Sequence, residues 1–375
     1  MKNLRLLFKL FTLTALVILI TACDVDPRKL IGTGGGENNP TVEQPVTEPT
    51  LEPTVEPLTS AETPPASIPP TFGHIAFISD RDGAKNIYVI DTAGARLTRL
   101  TNASFSDATP SWSPDGQRVA FASTVDGNTD IYLVQADGNG LTRLTNDPAK
   151  DSSPAWSPDG RRIAFETIRD GNYEIYTVLT DGSGLARLTT DPAGDSNPQW
   201  SPDGKRIAFV SNRSGNSDIF LINADGSGLF RLTSDSNPTS DPAWSPAGTQ
   251  IAYRAWPSSD YAELCIVNSD GTNPHCPIQG GANGIPAWSP DGTRLAFRVP
   301  AGINVLTLGN ETLRTLVTGL EIRGDPIWSP EGARLAFQAD AGSNMEIYIM
   351  VVDTNEMTRL TNSPTFDGDP AWTPY

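Results

Sequence analysis

Short apolar runs recur along residues 74–375, and turns rich in Pro, Gly and Asp separate them. In the unit beginning at residue 155, apolar runs lie at 155–156, 162–166, 174–178 and 185–189, with Ser157-Pro158-Asp159-Gly160 and Asp181-Gly182 between them. Proline fixes φ, glycine supplies the positive φ of tight turns, and Asp-Gly is a hairpin signal. Each unit therefore predicts four short antiparallel strands.

A tryptophan marks each unit, at spacings of 44, 44, 44, 44, 40 and 44 residues: Trp112, Trp156, Trp200, Trp244, Trp288, Trp328 and Trp372. A four-stranded sheet with two apolar faces cannot stand alone, and a repeat of this length is typical of β-propeller blades. The indoles either line a binding channel or fill the space between blades. Filler is favoured, because every interface needs the same bulky side chain and each ring buries roughly 150–250 Å².

The two ends of the repeat region are incomplete in complementary ways. The second-strand core, such as Ile75-Ala76-Phe77, occurs seven times, but the first copy has no Trp-Ser-Pro before it. The last tryptophan motif, at residues 369–374, has no second strand after it. We therefore predict an all-β, seven-bladed propeller over residues 73–375, closed by the C-terminal strand pairing into the first blade. Such closure removes exposed sheet edges.

The N-terminus predicts export. Lys2 and Arg5 precede an uncharged run at residues 10–20, which is too short to span a bilayer. The following Ile-Thr-Ala-Cys sequence, ending at Cys23, resembles the lipobox of bacterial lipoproteins, which implies a signal peptide at 1–22 and lipidation of Cys23. An ordinary secretory signal is the alternative. Residues 23–72, with prolines every four residues and interspersed glutamates, predict a disordered tether. We expect the propeller to be lipid-anchored on the extracytoplasmic face of a bacterial membrane.

Composition narrows the function. Lys and Arg number 27 against 44 Asp and Glu, a formal charge of −17, which argues against nucleic acid as a partner. Only two histidines, His74 and His275, are available for metal sites or catalytic dyads. The Gly-x-Ser-x-Gly and His-Glu-x-x-His motifs are absent from the sequence. A carbohydrate-active enzyme that uses only carboxylates stays open as an alternative.

Acidic residues precede the tryptophans at one of two fixed offsets. Four of them lie five residues before a tryptophan: Asp107, Asp151, Asp195 and Asp367. Asp241, Asp325 and Asp369 lie three residues before one, and Asn283 takes the earlier place in its unit. Because innermost strands start near the axis, we expect these carboxylates to cluster at one mouth of the channel and attract Ca²⁺ or a basic peptide. The alternative is that each Asp caps the turn leading into its own strand.

The unit around Asp270-Gly271 departs from the pattern. A two-residue turn there places Cys265 opposite Cys276, and export favours their oxidation, so a disulfide is predicted. Two buried free thiols are the alternative. The preceding loop carries Trp256 and Tyr261, an aromatic pair that we interpret as a candidate contact anchor, with local packing over a blade edge as the alternative.

The repeat Trp-Ser-Pro-Asp-Gly…Ile-Ala-Phe…Asp-Ile-Tyr…Asp-Gly…Leu-x-Arg-Leu-Thr resembles the TolB-type (PD40) propeller repeats of periplasmic proteins and is similar to the propellers of prolyl-oligopeptidase relatives. TolB itself has six blades and an added N-terminal domain, where this chain has a tether. We expect a monomeric, non-catalytic module that binds a protein, a peptide or an envelope glycan, with no cofactor required.

Overall fold

The computed structural model describes residues 73–102, 106–125, 127–234, 236–340, 342 and 344–374. The predicted signal peptide and tether, residues 1–22 and 23–72, lie outside them. The described residues form 28 strands in seven four-stranded antiparallel sheets, which confirms the prediction of a seven-bladed, all-β propeller. Within this part of the chain there is no helix with the length and apolar character needed to cross a bilayer.

The strands of the first three blades follow the chain. Blade 1 contains β1 (His74–Ser79), β2 (Asn86–Asp91) and β3 (Leu97–Arg99). Blade 2 contains β4 (Ser106–Trp112), β5 (Arg118–Val125), β6 (Asn128–Gln135) and β7 (Thr142–Arg143). Blade 3 contains β8 (Asp151–Trp156), β9 (Arg162–Thr167), β10 (Glu174–Leu179) and β11 (Ala186–Arg187).

The remaining blades repeat this order, from the innermost strand to the outermost. Blade 4 contains β12 (Asp195–Trp200), β13 (Arg206–Ser211), β14 (Asp218–Asn223) and β15 (Phe230–Arg231). Blade 5 contains β16 (Thr239–Trp244), β17 (Gln250–Ala255), β18 (Glu263–Asn268) and β19 (His275–Ile278). Blade 6 contains β20 (Ala287–Trp288), β21 (Arg294–Val299), β22 (Gly302–Thr307) and β23 (Thr312–Thr318). Blade 7 contains β24 (Ile327–Trp328), β25 (Arg334–Asp340), β26 (Met345–Val351) and β27 (Met357–Arg359).

The C-terminal strand β28 (Asp367–Trp372) closes the ring. It pairs antiparallel with β1, with Trp372 opposite Ile75 and Asp367 opposite Ser79, and so becomes the innermost strand of blade 1. The Thr373 N–H donates to the His74 carbonyl oxygen at 2.8 Å. Both chain ends of the propeller are therefore held in one sheet, as the incomplete terminal repeats predict.

The repeated tryptophans lie at the interfaces between blades. The Trp156 Nε1–H donates to the Ser111 carbonyl oxygen of blade 2 at 3.0 Å, and Trp112 makes the same bond to Ala371 of blade 1. Trp156 is 8% exposed, so the filler interpretation describes it better than an open ring of indoles. Each blade adds a fully buried aromatic from its second strand, for example Phe165.

Side chains of the Leu-x-Arg-Leu-Thr motif bind the short outermost strand to the third strand of the same blade. In blade 3, Arg187 pairs with the buried Glu174 at 2.8 Å, and the Thr189 hydroxyl accepts the Ile175 N–H at 2.8 Å. The same pairing recurs in three other blades: Arg143 with Asp130, Arg231 with Asp218, and Arg359 with Glu346. Since these outer strands pair over only two or three residues, side-chain bonds supply much of their attachment.

Candidate functional site

The innermost strands carry a bulge three residues before the tryptophan. The β4–β5 register shifts between Ala108 and Ser111, and the equivalent shift occurs in blades 3, 4 and 5. At this place five non-glycine residues adopt a positive φ of 50–56°: Thr109, Ser153, Asn197, Asp241 and Asp369. The proline that follows each of them has no N–H to pair with the second strand. The bulge therefore turns this stretch of backbone away from the sheet.

Four of these bulged residues line a cavity of about 710 Å³, together with apolar neighbours that include Pro110, Trp112, Pro154, Trp156, Trp200 and Pro242. Ile285 of blade 6 and Pro374, which follows β28, also line it. Because one cavity draws its walls from blades 1 to 6, it lies at the mouth of the central channel. We call it the channel-mouth cavity. Its wall combines apolar proline and indole surface with the hydroxyls and amides of Ser111, Ser153, Asn197 and Gln199.

The acids that lie five residues before a tryptophan are not at the channel mouth, where the sequence predicts them. Asp107, Asp151, Asp195 and Asp367 are each 0–1% exposed, and none lines the channel-mouth cavity. Arg169 holds Asp151 through two hydrogen bonds of 3.0 Å, and Arg213 pairs with Asp195 at 2.6 Å. Arg81 pairs with Asp367 at 2.7 Å. Each arginine lies just after the second strand of the same blade. The three carboxylates therefore form ion pairs within their own blades instead of meeting at the axis.

Asp107 is the exception among these four. Val125 stands where blades 1, 3 and 4 have the arginine, and Asp107 accepts hydrogen bonds from the Ser123 hydroxyl, at 2.6 Å, and from the Thr101 hydroxyl. Burial raises the pKa of Asp107 to about 6, although these two hydroxyls partly oppose the shift.

Two of the acids that lie three residues before a tryptophan, Asp241 and Asp325, belong to a charged cluster on one side of the channel. Asp241, which lines the channel-mouth cavity, accepts from Arg254 Nε at 2.7 Å. Arg254 and Arg298, on the second strands of blades 5 and 6, both donate to the Asn283 carbonyl oxygen, at 3.0 and 2.8 Å. Arg298 Nε lies 3.8 Å from Asp325 Oδ1. Two carboxylates and two guanidinium groups from blades 5 to 7 are thus joined in one cluster.

Asp325 is the electrostatically perturbed member of this cluster. Burial raises its pKa, while the nearby Arg298 guanidinium opposes the shift. Asp325 Oδ1 and Arg298 Nε are both buried and lack hydrogen-bond partners. A carboxyl group with a raised pKa beside two guanidinium groups has the components for acid–base chemistry on an anionic substrate.

The sequence does not single out Arg298 or Glu166, whose side chains bond residues in or just before the innermost strands. Both occupy the second-strand position just after the buried aromatic, where Val210 and Ala122 stand in other blades. Glu166 accepts from the Ser152 hydroxyl at 2.9 Å and from the Asn197 N–H at 3.0 Å. A charged residue at a position that is apolar in blades 1, 2 and 4 is the signal that would have found them.

A metal site is not assembled from the predicted acids. Among the described residues, the one group of three close ligand atoms is Glu263 with Cys265 and Cys276. The two sulfur atoms are already joined in the disulfide that the sequence predicts, with a Cα–Cα distance of 3.9 Å, at the place where the β18–β19 register shifts. His74 begins β1, and His275 lies exposed on the outer strand β19, so neither histidine lines the channel-mouth cavity.

The predicted aromatic anchors of blade 5 have different environments. Trp256 is half-buried, donates from Nε1 to the Ser240 hydroxyl at 3.1 Å, and packs under the Arg254 guanidinium. Tyr261 is 43% exposed and borders a separate cavity of about 490 Å³ beside Glu263 and Gly280. Trp256 therefore serves local packing, whereas Tyr261 remains available as a contact residue.

The sequence and fold define a family. The model of the TolB β-propeller domain, PD40, matches residues 55–153, 145–257 and 255–375. These matches cover most of the chain, which therefore belongs to the TolB β-propeller (PD40) family. A search of curated proteins found no matching relative.

Solved structures share the fold at low sequence identity. TolB from Acinetobacter baumannii is 21% identical, with a TM-score of 0.57 over 83% of this chain and 69% of that one. An oligogalacturonate lyase from Vibrio parahaemolyticus is 16% identical, with a TM-score of 0.61 over 73% and 85%. A puromycin-hydrolysing peptidase from Mycobacterium tuberculosis is 16% identical, with a TM-score of 0.62 over 76% and 50%. Because TolB, a lyase and a peptidase share this architecture, the fold alone leaves the activity open.

Proposed function

We propose that this protein is a lipid-anchored, extracytoplasmic binding module whose channel-mouth cavity receives a segment of a protein, a peptide or an envelope glycan, without catalysing a reaction. The cavity of about 710 Å³, walled by bulged inner strands, carries the proposal. Its size falls within the usual range of ligand sites, and its mixture of apolar surface with a few polar groups is typical of them.

An extended peptide fits this wall best. Each inner strand is the terminal strand of its sheet, so one edge of its backbone faces the channel without a strand partner. Free N–H and C=O groups at a strand edge can bind an extended chain, and nearby indole and proline surface can hold its side chains. The TolB family membership is consistent with a binding role.

Blocking the cavity tests this proposal. Gln199 is an exposed residue of the cavity wall, so Gln199→Trp should fill it, whereas Thr142→Trp adds the same bulk on the exposed outer strand β7. Affinity capture from the source envelope should recover a partner with the wild type and with Thr142→Trp but lose it with Gln199→Trp. Equal capture by all three proteins would contradict binding at the channel mouth.

Membrane anchoring rests on the Cys23 motif and has its own test. Incorporation of labelled palmitate should be lost in Cys23→Ser, and the variant should move from the membrane fraction to the soluble exported fraction. Retention of the label by Cys23→Ser would contradict lipidation at this residue.

A carbohydrate-active enzyme is the second candidate, because the pKa of Asp325 is raised beside Arg298 at the channel. An anionic polysaccharide panel tests it, with Asp325→Asn as the matched variant. Turnover by the wild type that Asp325→Asn abolishes without unfolding would establish the enzyme, and no turnover on any substrate would favour the binding module.

A further inference from the structure

Arginine side chains of this protein fill a recurring pocket between blades. The arginine that begins the second strand stacks on the tryptophan of the next inner strand at four interfaces: Arg118 on Trp156 at 5.0 Å, Arg206 on Trp244 at 5.1 Å, Arg294 on Trp328 at 4.6 Å and Arg334 on Trp372 at 5.1 Å. A guanidinium group over an indole face is a favourable cation–π arrangement.

The same guanidinium groups also find oxygen acceptors on the neighbouring blades. Arg118 donates to the Gly160 carbonyl oxygen at 3.2 Å, and Arg294 donates to the Gly332 carbonyl oxygen at 2.7 Å. Arg206 donates to the Ser269 carbonyl oxygen at 2.9 Å. The pocket therefore binds a guanidinium group between an indole face and backbone carbonyl oxygens of the neighbouring blades.

The interface between blades 3 and 4 departs from this arrangement. Arg162 occupies the equivalent sequence position, but it is exposed, and no described ring lies under its guanidinium. Trp200, the tryptophan that it would cover, has no cation over it, and its Nε1 lacks the inter-blade hydrogen bond made by Trp156. A cavity of about 600 Å³ opens at this place, and Arg162 lies in its wall without covering Trp200.

The open pocket keeps the acceptors that the filled ones use. Gly204 lines it in the place of Gly160 and Gly332. Asp225 lines it 63 residues after Arg162, the same offset that separates Ser269 from Arg206, and so adds a carboxylate to that position. Asp159 and Asp203 also border it, and the Ser157 hydroxyl helps to hold the pKa of Asp159 below its usual range.

We propose that this cavity binds an arginine side chain of a partner polypeptide, between Trp200 and the acceptors at Gly204 and Asp225. Pro158 and Trp200 line both this cavity and the channel-mouth cavity, so a polypeptide in the channel can reach it. This arginine site rests on the proposed binding function and gives the partner a positive charge at the point of contact. Binding of a free arginine derivative can be measured without the channel partner.

The first experiment tests whether the Arg162 guanidinium itself stacks on Trp200. Arg118→Ala and Arg294→Ala each remove a stacked guanidinium and should lower the melting temperature by about 2–4 °C. Arg162→Ala should leave it within about 1 °C of the wild type, because Arg162 makes no such contact. A drop equal to that of the two control variants would overturn the proposal, because Arg162 would then occupy the site.

The second experiment measures binding directly, with N-acetyl-L-arginine amide as the probe and 5-fluorotryptophan-labelled full-length protein observed by ¹⁹F NMR. The Trp200 resonance, assigned from Trp200→Phe, should shift with a millimolar dissociation constant, while the Trp244 resonance under Arg206 should not. Asp225→Asn should weaken binding about threefold, since one charge-assisted contact is lost. N-acetyl-citrulline amide, which is neutral, should not shift the signal.

An unmoved Trp200 resonance, or an equal shift with the citrulline derivative, would refute the arginine site while leaving the capture experiment on the channel mouth unaffected. Conversely, a specific shift of Trp200 combined with failed capture would support the site and reject the channel partner.

Discussion

Replacing Asp107 by Asn should stabilise the propeller at neutral pH. Asp107 is 1% exposed, and its contacts are the hydroxyls of Ser123 and Thr101 instead of an arginine. Burial without a paired cation penalises the ionised form. Asparagine has the same shape and carries no charge, and either hydroxyl can rotate to accept its N–H.

The size of the effect follows from the raised pKa of Asp107, about 6 against an ordinary value of 3.8. The folded state binds this proton more tightly than the unfolded state, so stability falls as the pH rises from about 4 to about 6 and stays low above it. A rise of this size in the pKa corresponds to about 3 kcal/mol. We therefore expect Asp107→Asn to gain about 1–3 kcal/mol at pH 7 and almost nothing at pH 4.

Urea unfolding between pH 4 and pH 8 is the assay, with the free energy of unfolding of the variant compared with the wild type at each pH. Asp151→Asn is the matched control, because it weakens the pair with Arg169 and should lose about 2–3 kcal/mol at pH 7. If Asp107→Asn is less stable than the wild type at pH 7 and the difference does not depend on pH, the account of Asp107 as an unpaired buried acid is refuted.

Three further predictions concern the ring and its inner strands. Deleting residues 367–375 removes β28 from blade 1, so we expect the cooperative thermal transition of the whole propeller to be lost; a transition at the wild-type temperature would contradict closure. Changing Cys265 and Cys276 together to Ala opens an 11-residue loop and should cost about 2–3 kcal/mol by urea unfolding under oxidising conditions, whereas under reducing conditions the two proteins should be equal. Ser153→Gly should add about 0.5–1 kcal/mol because Ser153 has a φ of 56°, and Ser152→Gly should not.

The fold could be predicted from the sequence because the pattern of each blade is repeated. Every blade repeats its turn and its tryptophan, so local patterns that are weak in one unit become strong over seven. Closure could also be predicted, because the incomplete first and last repeats complement each other. The disulfide followed from hairpin register, which depends on residues close together in the sequence.

The channel site was only partly predictable. The acids five and three residues before a tryptophan cannot be distinguished in the sequence. The bulge in the innermost strand places their side chains on different sides of the backbone. Asp151 is buried against Arg169, whereas Asp241 reaches the cavity wall. The position of Arg298 beside Asp325 joins blades 6 and 7, and residue spacing does not reveal which side chains meet across two sheets.

The strands, the number of blades and the way the ring closes could be read from the amino-acid sequence, because period-two patterns, turn residues and a fixed repeat length act locally. The three-dimensional packing was needed to learn which carboxylates are neutralised inside the blades, which one lines the channel-mouth cavity, and that Arg162 leaves Trp200 uncovered. Those outcomes depend on the register of bulged strands and on the packing of neighbouring sheets, where a displacement of one residue changes the partner of every side chain.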